Sequence, residues 1–206
     1  MKLIKSTILV LAASILFTSC ASKYELIKPK TLNYSNVSID KGVSVSYKYN
    51  LLDKRYAKKE EKKGVKIVAI EIKNNSGKDL VLGKNFELEY SNGKKLYTIN
   101  NMEAYKMVKQ STAIYSLYFL LSFLKFEVTK TTPNEIKKDS YPVGLIVGPG
   151  IAVGNMVASS NANGKFEKEM MEYDLTNAVI KKGETKYGLI SVISDDYQEI
   201  VGKIIN

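Results

Sequence analysis

The sequence predicts a mainly β protein, an antiparallel β-sandwich into which an apolar helical hairpin is inserted. Three observations point there. Short runs of β-branched and aromatic residues alternate with polar ones toward both ends of the chain. Clusters of Asn, Gly, Ser and Asp punctuate those runs, and such residues tolerate the backbone angles of tight turns. Between them, residues 100–172 abandon the strand rhythm for two long apolar stretches.

Val37, Ile39, Val43, Val45, Tyr47 and Tyr49 stand at alternate positions, interrupted by Asp40-Lys41-Gly42, which predicts two strands joined by a turn. Val65, Ile67, Ala69 or Val68, Ile70 and Ile72 suit a central strand, and Asn74-Asn-Ser-Gly77 turns the chain. Leu80-Val-Leu, Phe86-Glu-Leu-Glu-Tyr90 and Lys95-Leu-Tyr-Thr-Ile99 follow. The closing strands are expected in 173–180, 186–193 and 200–205. Ile67, Ile70, Ile72, Phe86, Leu88, Leu189 and Val192 are the expected core. The run Lys54-Arg-Tyr-Ala-Lys-Lys-Glu-Glu-Lys-Lys63 carries two carboxylates among its cations and predicts an exposed, mobile loop.

Within the insertion, 102–109 has helix-forming composition. Ala113-Ile-Tyr-Ser-Leu-Tyr-Phe-Leu-Leu-Ser-Phe-Leu124 is apolar on every side, unlike a half-exposed helix. At ~1.5 Å per residue it is too short for the ~30 Å of a bilayer's hydrocarbon core. A polar link at 129–140 leads to the second stretch, 141–158. There Gly144 and Gly148 are four apart, as are Gly150 and Gly154, so each pair leaves a groove in which another helix can come close. Pro149 is expected to kink or break the helix between the pairs. A short amphipathic helix at 166–173 returns the chain to the sandwich. Ile114, Leu117, Phe119, Leu120, Gly144, Gly148, Gly150 and Gly154 are the candidate interaction residues. A single sandwich can cover only one side of the first apolar segment, and the other sides call for lipid, a partner or a second copy.

The chain opens with Lys2 and Lys5, a run from Ile8 to Phe17 that is apolar except for Ser14, and the small residues Thr18 and Ser19 before Cys20, its only cysteine. A charged start, an apolar middle and small residues at the end form a secretory signal peptide. Ending on Cys, the segment resembles the lipobox of bacterial lipoproteins, and the resemblance implies cleavage before Cys20 and a diacylglycerol on its thiol. Residues 20–35 then read as a lipidated tether. Cleavage after residue 19 would leave 187 of 206 residues and lower the formal charge from +10 to +8, because Lys2 and Lys5 leave. The remaining excess is lysine spread along the chain, which suits a solvated surface in an anionic envelope.

Catalytic patterns are few. The chain has no histidine, so a Ser-His-Asp triad, a Cys-His pair and an imidazole-bound zinc are excluded. Gly148-Pro-Gly150 with Gly154 has the wrong spacing for a dinucleotide loop, and Pro149 lacks the amide a phosphate would need. The adjacent carboxylates Glu60-Glu61 and Asp195-Asp196 lack calcium-loop spacing. No cofactor, metal or nucleic acid is expected.

"Strand, Asn-Asn-Ser-Gly, strand" early, and "Ile-Lys-Lys-Gly-Glu-Thr, Tyr-Gly-Leu-Ile-Ser-Val" late, resemble immunoglobulin-like domains of small bacterial envelope lipoproteins. The resemblance covers 36–99 and 173–205 and leaves 100–172 as the inserted hairpin. With the lipobox leader, the apolar insertion and the lack of catalytic motifs, the expected function is that of a non-catalytic, membrane-anchored protein on the extracytoplasmic side that binds or positions an envelope partner, or its own copy, through the insertion. The alternatives are a membrane-active accessory whose insertion enters a bilayer and, last, a carboxylate-dependent envelope hydrolase.

Overall fold

The run Val65–Asn74 is buried on both of its faces, so it needs a layer on each side. The computed structural model describes residues 20–34, 36–132 and 135–205; the expected leader, 1–19, lies outside them. Its contacts divide the described residues into a sheet unit, 24–109 with 163–205, and a second unit formed by 110–162 and 20–23.

The sheet unit is built on β1 (Asn36–Asp40), β2 (Val43–Lys48), β3 (Val65–Asn74), β10 (Thr185–Ile193) and β6 (Thr98–Ile99), hydrogen-bonded antiparallel in the order β1-β2-β3-β10-β6. Val45 pairs with Ile72, Tyr47 with Ile70, and Ile190 with Val68. Those six side chains point to one face. There they meet β5 (Phe86–Tyr90) with β11 (Ile200–Ile204), and the short pair β4 (Leu80–Val81) with β9 (Val179–Ile180). Gly202 lets the layers close, since a Cβ there would lie 2.6 Å from both Phe86 Cζ and Val45 Cγ2. All seven expected core residues are buried.

The alternate residues of the same strands, Ile67, Ala69 and Leu189, face the other way and are equally buried. Helices cover them: α1 (Lys54–Lys63), α2 (Asn101–Val108) and the C-terminal part of α3 (Gly144–Glu172). Behind the sheet, Phe166 packs at ring-centroid distances of 5.0–5.6 Å from Tyr24, Tyr56 and Tyr105.

Four expectations need correction here. The lysine-rich run 54–63 is not a loop but α1. Tyr56 and Glu60, four apart, form its buried stripe, Gly64 closes it in a left-handed conformation, and Lys62 and Lys63 sit in its last turn. The stretch 24–32 is not loose tether, because Tyr24 and Ile27 are buried and tied to α3. Pro149 does not end a helix. α3 runs through it to Glu172, with the proline near the N-terminus where it removes a single intrahelical bond. Residues 101–109 and 163–172 belong to the sheet unit, because Ala104, Val108, Phe166 and Met170 are part of its interior.

Two buried carboxylates fasten this unit. Glu60 Oε1 accepts the Ile67 N–H at 2.6 Å. Glu169 accepts three bonds, from the Tyr24 hydroxyl (2.6 Å), the Ile27 N–H (2.9 Å) and the Lys28 N–H (2.8 Å). Asn101 also crosses elements. Its Nδ2 donates to the carbonyls of Met170 and Leu189, and its Oδ1 accepts from Ser191 Oγ at 2.7 Å.

Candidate functional site

All eight candidate interaction residues lie in the second unit, on two segments. Thr112–Phe123 is a 3₁₀ helix, not the expected α-helix. Three residues per turn stack every third side chain on one edge. Ile114, Leu117, Leu120 and Phe123 form that edge, and all four are exposed, Phe123 to 82 %. The inward edge holds Tyr115, fully buried, and Tyr118, whose ring stacks parallel to it at 6.5 Å. Phe119 lies between the edges and is also exposed.

The first nineteen residues of α3 supply the other wall. Gly144 and Gly148 are buried where α3 meets the 3₁₀ segment, and a Cβ on Gly148 would stand 2.8 Å from Ser122 N and 2.9 Å from Tyr118 O. This glycine pair is therefore filled by the chain itself. Gly150 and Gly154 differ, since both are exposed and a Cβ on either would meet nothing within 4 Å. They lie with Ile146, Val153 and Val157 at intervals of three and four, so they share the outward face of the helix. Ile146 is 81 % exposed. An outward helix face in water is ordinarily polar, and this one is as apolar as the face it opposes.

Between the two segments, the expected polar link is a β-hairpin, β7 (Phe126–Thr132) paired antiparallel with β8 (Glu135–Tyr141). Phe126 faces Tyr141 across its base, and both are exposed. Complete burial of one large apolar side chain is worth ~1.5–3 kcal/mol. The 3₁₀ edge and the outer face of α3 thus leave several kcal/mol of potential burial unused.

The N-terminal residues join this unit through polar side chains. The Ala21 N–H donates to Asn155 Oδ1 at 2.6 Å, and Asn155 is on α3. Gln110 bonds Ser22 twice, accepting its N–H at 2.9 Å and donating to its carbonyl at 2.7 Å. Cys20 is exposed at the start of this pinned segment. The sequence offered no signal for this clamp, because a lone Gln and a lone Asn carry no pattern.

The sheet unit has a cavity of about 450 Å³ between β5, β6 and β10, lined by Leu88, Leu96, Ile190, Glu87, Glu89 and Lys95 among others. Glu87 is exposed and Glu89 is paired with Lys203 at 3.2 Å, so its carboxylates do not form the close buried pair a glycosidase uses. Among the described residues, no group of three His, Cys, Asp or Glu side chains could hold a metal ion. None of the described helices is long and apolar enough to cross a membrane. Compared with protein-family models, curated proteins and solved structures, the chain finds no match.

Proposed function

We propose that this is a non-catalytic, lipid-anchored protein of the bacterial cell envelope that makes its contacts through the apolar unit 110–162. The sheet unit is read as an immunoglobulin-like sandwich, a description supported by its antiparallel pairing and by the interior between its two strand layers. The helices behind the larger sheet are additions to that plan. The leader and Cys20 supply the envelope address. One observation carries the interaction reading: Ile114, Leu117, Leu120 and Phe123 line one bare edge after folding is complete. A chain that needed these side chains only for its own core would have buried them.

The test uses the mature chain with Cys20→Ser, so that no acyl group contributes. In detergent-free buffer it should self-associate or take up added detergent. Serine at Ile114, Leu117, Leu120 and Phe123 together should restore a dispersed monomer with an unchanged melting transition. A dispersed, detergent-indifferent parent chain overturns the reading.

A further inference from the structure

We infer that the occupant of this apolar surface is a lipid leaflet, the one that holds the Cys20 anchor, and that the 3₁₀ edge and the outer face of α3 lie in its interfacial zone without crossing it. The inference rests on the reading above and names the partner of the same surface.

Charge is the first argument. Residues 110–124 and 141–164 contain no Asp, Glu, Lys or Arg. Protein interfaces keep a polar, partly charged rim around an apolar centre, whereas hydrocarbon penalises every charge placed in it. Within 110–162 every charge, Lys125, Lys130, Lys137 and Lys138 together with Glu127, Glu135 and Asp139, is gathered at and beyond the edge of the apolar segments, in or beside the hairpin, where Lys130 pairs with Asp139 at 3.9 Å. Tyr141, which is exposed, stands at the start of the second uncharged segment. Charged side chains and a tyrosine at the border of an uncharged apolar band suit the headgroup layer.

Continuity with the anchor is the second. One peptide, ~3.8 Å between Cα atoms, separates Cys20 from Ala21, whose N–H is bonded to Asn155 of α3. Gln110 fixes the next residue from both sides. No slack chain separates the acylated residue from the apolar unit, so acyl chains that enter the leaflet bring α3 to its surface. Length is the third argument. With no described helix able to span, the fitting mode is an element lying in the interface with one face sunk ~5–10 Å.

The chain has no tryptophan, so single substitutions report depth directly. The probe is the mature chain with Cys20→Ser, mixed with phosphatidylethanolamine/phosphatidylglycerol vesicles. Ile146→Trp and Phe123→Trp replace two of the most exposed residues and serve as independent reporters on the two walls. Ile39→Trp, on the exposed strand β1 of the sheet unit, is the reference. Emission from Ile146→Trp and Phe123→Trp should shift to the blue and be quenched by brominated acyl chains, while Ile39→Trp stays unchanged. Leu117→Asp with Leu120→Asp should weaken vesicle flotation about 10-fold or more. If neither reporter shifts but the parent chain still self-associates or captures detergent, the lipid assignment is overturned and the interaction reading stands. If neither reporter shifts and the chain is a dispersed monomer, both are overturned. An equal shift at Ile39→Trp also overturns it, because the contact would not belong to this unit.

Discussion

Gly148 stands so close to Ser122 that a single added carbon would lie 2.8 Å from the Ser122 nitrogen and 2.9 Å from its hydroxyl. Gly148→Leu is therefore expected to separate α3 from the 3₁₀ segment, at a cost of about 1–3 kcal/mol for overpacking. Faster amide exchange in 112–123, with β3 and β10 unaffected, would show it. Gly154→Ala is the contrast, because that position is open and helical, and replacing glycine should stabilise α3 by about 0.5–1 kcal/mol. Equal behaviour of the two variants would contradict the packing described.

Removing the Glu169 carboxylate strands three donors at once. Glu169→Ala should destabilise the sheet unit by about 3 kcal/mol or more, since each buried donor left unmatched costs ~1–3 kcal/mol and their losses do not simply add. Tyr24→Phe should cost only about 1 kcal/mol. Burial first, then the hydrogen bond and charge of Glu169, hold the Tyr24 phenol protonated well above the ordinary phenol range. Urea titration of both single variants and the double variant measures the coupling, which should be clearly non-zero.

Glu60 gives a pH signature of defined sign. Burial raises its carboxyl above the ordinary value of 4.5, against smaller opposing effects from the Ile67 N–H and Lys66. The folded state thus holds the proton more tightly than the unfolded state. The favourable contribution is complete below 4.5 and is lost as pH rises through the raised folded value. Glu60→Gln should abolish that dependence, so the stability difference between parent and variant changes across this window and is flat on either side. Parallel curves would argue against it.

Cys20→Ser tests the anchor. In a bacterial host with lipoprotein processing, the parent chain should incorporate labelled fatty acid and lose residues 1–19. The variant should incorporate none and appear as an uncleaved or released form. Fatty-acid labelling and intact-mass measurement distinguish these outcomes. Normal cleavage and membrane retention of the variant would sink the lipidation reading.

The strands were legible because burial on one side forces alternation, and β5 (Phe86–Tyr90) was read to the residue. Helix α1 was not, because eight of its ten side chains are charged and only Tyr56 and Glu60 turn inward. A two-residue stripe is lost beneath that charge. The hairpin β7–β8 was hidden for the opposite reason: both of its faces are largely exposed, so nothing required its residues to alternate. In Thr112–Phe123, uniform apolarity concealed the difference between a period of 3.6 and one of 3. The candidate glycines were found by spacing alone, yet spacing could not tell which pair the chain would fill. Glu169 gave no sign of its role, because its partners lie 141–145 positions away.

That separation has a consequence in time. Tyr24, Ile27 and Lys28 are made early, and the carboxylate that receives them is made near the end. At ~5–20 residues per second, ribosomes need roughly 7–30 seconds to cover the interval. Throughout it, Tyr24, Ile27 and Lys28 lack the carboxylate that joins them in the folded chain. On the proposed lipidation of Cys20, an enzyme acting within that interval would meet the following segment before Glu169 can fasten it. The order of residues along the chain would then place modification before closure.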